Sequence, residues 1–149
     1  MMMSPATRPA PGRRADYTTF TPITTRWMDN DVFGHLNNVV YYSFFDTAVT
    51  RALVARGILT WHGGSHFLVV AESGCRFLSE LAFPETIEAG IRLARLGERS
   101  MRHEIGVFRA GEDTASAEGF MVHVCVDSET RRPASLPEAW RTALQPTPK

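Results

Sequence analysis

Cysteine is scarce: Cys75 and Cys125 are the only two in 149 residues, and they form neither a CxxC pair nor any ligand-like spacing. A disulfide framework has nothing to build on, and two buried, reduced thiols in a cytoplasmic protein are expected. Long hydrophobic runs are missing as well. Nothing approaches the roughly 18 consecutive apolar residues of a membrane span, so no membrane insertion is expected. Net charge is absent too, because 16 basic residues balance 16 acidic ones. The chain therefore lacks the basic footprint of a nucleic-acid binder. Residues 1–15 carry Pro and Arg without the apolar stretch of a secretory signal, and they read as a flexible tail. Internal repeats are also lacking, which leaves residues 16–149 as a single domain.

What remains is enough apolar material for a core, 44% of the residues. From Tyr17 to Trp27 aromatic and β-branched residues alternate as in a strand, with Pro22 suggesting an edge position or a bulge. A loop from Asp29 to Leu36 follows, and either Asn37 or Asn38 can cap the helix behind it. That helix runs through "NVVYYSFFDTAVTRALVAR" to Gly57, a natural residue for its C-terminal end. Its apolar residues cover more than one stripe, which predicts burial over most of the circumference. Four strand-like segments follow, near residues 67–78, 86–95, 101–109 and 118–126. Their short connections favour antiparallel neighbours. "SLPEAWRTAL" predicts a short C-terminal helix with Pro137 in its first turn. One strand, one long buried helix and four strands make an α+β domain. The expected architecture is the hotdog fold, an antiparallel curled sheet of about five strands wrapped around a central helix.

The loop itself, "WMDNDVFGHLNN", sets two carboxylates just ahead of a buried helix. A helix start supplies unpaired N–H groups and a positive dipole end, able to stabilise a developing oxyanion. A carboxylate in the preceding loop can face whatever that helix start binds, and Gly34 permits the tight turn and a close approach to the backbone. Asp29, Asp31 and His35 also offer three potential metal ligands, but no further cluster at ligand spacing supports them, and no metal is expected.

The stretch "RWMDNDVFGHLNNVVYYSFFDTA" resembles the signature of the 4-hydroxybenzoyl-CoA thioesterase family of hotdog acyl-CoA thioesterases: a strand ending in an aromatic residue, D-x-D-x-x-G-H-x-N, then an aromatic-rich helix with a carboxylate in its second turn. The resemblance extends over about Tyr17 to Leu144. It implies that Asp31 is the catalytic carboxylate, as general base or as nucleophile, with Asp29 supporting the loop. It implies that the main-chain N–H of Asn38 donates to the thioester oxygen. Gly34, His35 and Asn37 become substrate-binding positions, His35 either fixing the loop or acting as a base. Asp46 matches the helix carboxylate, as a structural or interface group or as a second acid. Arg99 and Ser100, in the turn "RLGERSMRHE", fall where the family binds the phosphates of CoA, although Gly97 and Glu98 stand where some relatives carry further basic residues. No cofactor is implied, since CoA is part of the substrate.

The activity so implied is hydrolysis of acyl-CoA to a free acid and CoA. Hydrolysis of acyl groups on a carrier protein, and non-catalytic acyl binding, remain alternatives. Edge strands with unpaired backbone groups predict a homo-oligomer, a dimer or a dimer of dimers. Tyr41, Tyr42, Phe44, Phe45, Trp61 and Phe67 are the candidates to line an aryl or alkyl pocket.

Overall fold

The computed structural model describes residues 10–60 and 63–146. Residues 1–9 of the expected tail and Trp61, a candidate pocket residue, lie outside them. The alternating segments form β1 (Thr19–Thr24), β2 (His66–Phe77), β3 (Thr86–Leu96), β4 (Ser100–Arg109) and β5 (Ala117–Asp127). Helix α1 (Asn38–Ala55) separates β1 from β2, and the short α2 (Glu138–Ala143) follows β5. The five strands make one antiparallel sheet in the order β1-β3-β4-β5-β2. The sheet curls around α1, so the fold is the expected α+β hotdog.

Period-two alternation decides which side of each strand faces the helix. Ile87, Ala89 and Ile91 of β3, Met101, Ile105 and Val107 of β4, and Ala117, Met121 and Cys125 of β5 are all buried. Against them α1 sets Tyr41, Phe44, Phe45, Ala48, Val49, Ala52 and Leu53, spaced as one helical stripe. Phe45 rests on Gly119, where a Cβ would fall 2.3 Å from its ring. Only glycine lets the helix sit this close to the sheet.

Four expectations are corrected. The helix is not buried around most of its circumference: Val39 is 68% exposed and Tyr42 38%. One sheet covers one side of a helix, and among the described residues nothing lies over the other. The first strand does not run from Tyr17 to Trp27. It stops at Thr24, because Asp29 captures the Arg26 N–H and winds Trp27–Asp29 into a single 3-10 turn. Pro22 does lie on an edge strand. In addition, the stretch read as tail is tied down from Gly12 onward. Its N–H donates to Glu118, and Arg14 donates to Glu88 and to the carbonyls of Glu112 and Arg109. Next to this stretch Gly90 and Gly106 face each other across β3 and β4, leaving a slot on the outer face of the sheet. The Tyr17 ring fills it over Gly106 and the Phe20 ring over Gly90, and Tyr17 meets Phe108 edge-on at 5.6 Å. At the other terminus α2 begins one residue later than expected, with Pro137 as its cap. Among the described residues no helix is long and apolar enough to cross a membrane.

Candidate active site

The two carboxylates of the loop have separate surroundings. Asp29 is buried, at 1% exposure, and accepts the Arg26 N–H at 2.8 Å and its guanidinium at 2.9 Å. The Asp29 carbonyl accepts the Asn37 N–H at 2.9 Å, so this residue staples both ends of the loop together. Asn30 ties the same loop to the backbone of Phe83 in both directions, and the Leu36 N–H reaches the Leu81 carbonyl at 2.7 Å. Asp31 lies inside this frame. Its Oδ1 accepts the Phe33 N–H at 2.9 Å, while Oδ2 has no partner among the described residues. The turn closes through the Asp31 N–H to the His35 carbonyl, 3.0 Å, and the Gly34 N–H to the Asp31 carbonyl, 3.1 Å. Gly34 adopts φ +87°, the left-handed region that glycine occupies without strain.

The helix cap is Asn37. Its Oδ1 accepts the Val39 N–H at 3.0 Å and its carbonyl the Val40 N–H at 3.1 Å. The N–H of Asn38, first residue of α1, has no acceptor among the described residues. This free donor and Asp31 border one cleft of about 470 Å³. His35, Leu36 and Tyr41 line it on the loop and helix side, and Phe77, Leu78, Ser79 and Glu80 from the end of β2 form the opposite wall. That second wall was not anticipated. Nothing in the sequence of residues 77–80 ties them to a loop 40 residues earlier. Their placement comes from the sheet, which returns the end of β2 to the start of α1.

The other expected site residues divide. His35 faces Glu80, with Nε2 3.9 Å from Oε1, and stacks on Phe33 at 6.4 Å, an arrangement that suits fixing the loop. The Asn37 side chain lines the cleft but is committed to the cap. Gly34 shapes the turn without bordering the cleft, and Asp46 is exposed on α1 away from it. Arg99 and Ser100 are not brought to Asp31 within one chain. They occupy the β3–β4 turn, whereas the cleft lies at the sheet end where Thr24 pairs with Thr86 and Phe77 with Ala117. In that turn the Arg99 carbonyl accepts the Cys125 N–H, and the Arg141 guanidinium holds the carbonyls of Gly97 and Glu98.

Among the described residues no group of three or more His, Cys, Asp and Glu is placed to hold a metal ion. Asp29 is turned to Arg26 and away from any joint site with Asp31 and His35. Both cysteines are free thiols; burial pushes Cys75 up to about 12 and Cys125 upward as well. His103 and His123 are buried on the inner face of the sheet, and the Nδ1 of each lacks a protein partner. Desolvation lowers both, His103 to about 4, so these imidazoles stay neutral.

A curled sheet around one helix, with a free N–H at the helix start and a carboxylate on the same cleft, points to the hotdog thioesterases as a class. The sequence profile of the thioesterase-like superfamily matches residues 25–144, and the chain belongs to that superfamily. It is similar to the crystal structure of the PA5185 protein of Pseudomonas aeruginosa, with 46% identity over 90% of this chain and 94% of that one and a TM-score of 0.86. The TT1821 protein of Thermus thermophilus is 32% identical over 85% of this chain and 97% of its own, with a TM-score of 0.77. The 1,4-dihydroxy-2-naphthoyl-CoA thioesterase Slr0204 of Synechocystis shares the fold at 16% identity, TM-score 0.76, covering 84% of this chain and 92% of that one.

Proposed function

We propose that the protein hydrolyses an acyl-CoA thioester to a free carboxylic acid and CoA, in the manner of the 4-hydroxybenzoyl-CoA thioesterases. The observation that carries this is the pairing, in one cleft, of the Asp31 carboxylate with the unclaimed N–H of Asn38. Superfamily membership supports the reaction class. With the thioester carbonyl on the Asn38 N–H, negative charge that develops on its oxygen meets the positive end of the α1 dipole. Asp31 takes a proton from water as the water attacks the carbonyl carbon. Collapse of the tetrahedral adduct breaks the carbon–sulfur bond, and the leaving thiolate recovers that proton. Direct attack by Asp31, giving a mixed anhydride that water then opens, uses the same atoms. No cofactor enters either course.

The same reading makes the protein an oligomer. β2 is an edge strand whose residues 69–73 are exposed, Val69 and Val70 among them. Such an edge invites pairing with a second copy. A second chain is also the source from which Arg99 and Ser100 would reach the CoA phosphates of a neighbouring cleft. Because acyl-CoA is a cytoplasmic metabolite class, the proposed location is the cytoplasm.

Thiol release from a panel of acetyl-, hexanoyl-, decanoyl-, benzoyl- and dihydroxynaphthoyl-CoA tests the reading. Release by the wild type that Asp31→Asn abolishes is expected. Release confined to acyl groups on a carrier protein, or unaffected by Asp31→Asn, would overturn it.

A further inference from the structure

An oxyanion forming at the start of α1 meets a shortage of donors. Preorganised sites of this kind usually aim two hydrogen bonds at the oxygen. Of the first N–H groups of α1, those of Val39 and Val40 already bond to Asn37, and only that of Asn38 is open. A second donor has to come from a side chain on the cleft.

Tyr41 has the right properties. It follows Asn38 by three residues, hence on the same helix face, and both line the cleft. Long side chains on a helix lean back toward its N-terminus, which carries the phenol alongside the first turn. The residue is 3% exposed, and its ring is fixed edge-on against Phe77 at 5.1 Å and tilted against Phe44 at 5.9 Å. Its hydroxyl donates to no acceptor among the described residues. Yet it is not one of the sealed polar atoms of the core, such as the Nδ1 atoms of His103 and His123. Desolvation, with smaller contributions from Cys75 and Glu85, pushes the phenol up to about 12, so the proton stays on oxygen throughout the neutral range. Of the other side-chain donors on the cleft, His35 faces Glu80 and Asn37 is committed to the cap, while Asn38 and Ser79 are exposed with no side-chain hydrogen bond among the described residues to hold them.

We propose that Tyr41 is a catalytic residue whose phenolic O–H is the second hydrogen-bond donor to the thioester carbonyl oxygen, beside the Asn38 N–H. This rests on the thioesterase reading above. As water adds to the carbonyl carbon and its proton passes to Asp31, the π pair moves onto oxygen, where the two hydrogen bonds shorten. The phenol keeps its proton. When the carbonyl re-forms, the thiolate departs with the proton that Asp31 held.

Tyr41→Phe keeps the ring and its contacts and removes only the donor. The expected result is a kcat lower by about 100-fold, the usual loss for one such donor, with KM changed less than about threefold. The melting temperature should move by no more than about 2 °C, since no intramolecular hydrogen bond is lost. A second readout is the infrared carbonyl band of ¹³C-labelled hexanoyl-CoA bound to Asp31→Asn. Adding Tyr41→Phe should shift that band to higher frequency, which a merely structural role would not do. A Tyr41→Phe enzyme within about twofold of wild type, or an unmoved carbonyl band, overturns the assignment while leaving the thioesterase reading intact. Absence of hydrolysis by the wild type across the acyl-CoA panel overturns the reading and the assignment with it.

Discussion

Asp29 and Asp31 are two residues apart and chemically alike, and the fold gives them opposite surroundings. Asp29 is enclosed and bound to the Arg26 backbone and guanidinium; Asp31 accepts a single bond and borders the cleft. Asp31→Asn should therefore cut kcat by at least about 100-fold with little change in melting temperature, as steady-state kinetics and thermal unfolding will show. Asp29→Asn should do the reverse first. Loss of its charge should cost about 1–3 kcal/mol in a denaturant titration, because the partner guanidinium is partly solvated and keeps its hydration. That two carboxylates precede a helix start was legible in the sequence; the choice between them came from the family resemblance, and their different surroundings are visible only in the fold. That Tyr41 borders the cleft was not legible, because a tyrosine on an apolar stripe looks the same whether its hydroxyl is sealed or faces a cleft. His103 and His123 supply a pH test. Below the unfolded value near 6.5 the unfolded chain takes up protons that the folded chain refuses until about pH 4 at His103. Stability should thus be full above pH 6.5 and fall between pH 6.5 and 4, by roughly 3 kcal/mol from His103. Denaturant midpoints across that range should drop in the wild type and flatten in His103→Asn.

At the scale of elements, α1 owes its position to one missing side chain. A Cβ on Gly119 would lie 2.3 and 2.5 Å from Phe45 ring atoms and 2.6 Å from the Gly74 carbonyl oxygen. Gly119→Ala should destabilise by about 3 kcal/mol, the upper part of the range for overpacking. Phe45→Leu alone should cost about 1 kcal/mol. The double variant should be more stable than the sum of the two, since the smaller side chain relieves part of the clash; a thermodynamic cycle of unfolding free energies measures this. The strands of this sheet were legible because alternation marks each one locally. Their order was not, since pairing β1 with β3 and β5 with β2 depends on contacts across tens of residues. The exposed side of α1 was misjudged for a related reason. Composition counts apolar residues, and it does not say how many surfaces will come to meet them. The Tyr17 anchor was missed because Gly90 and Gly106 form a slot only once their strands are paired.

Across the whole molecule, the cleft and the Arg99 turn occupy opposite ends of strands that span roughly 30 Å. If substrate bridges two copies, mixing Asp31→Asn subunits with Arg99→Ala subunits should restore part of the activity that each homo-oligomer lacks. Heterodimers with no more activity than the parents would place CoA within a single chain. The strand order has a further consequence, for the protein's birth. β1 and β2, both made early, are the two edges of the sheet, and among the described residues their ladder partners are β3 and β5 alone. A ribosome that has released α1 and β2 has thus released an aromatic-rich helix and a twelve-residue strand with nothing to pair against. Long-range pairing of this sort cannot be completed piecemeal during synthesis. Nascent chains arrested before Asp127 emerges should remain open to protease and bound by chaperones. Those arrested beyond it should close the sheet in one late step.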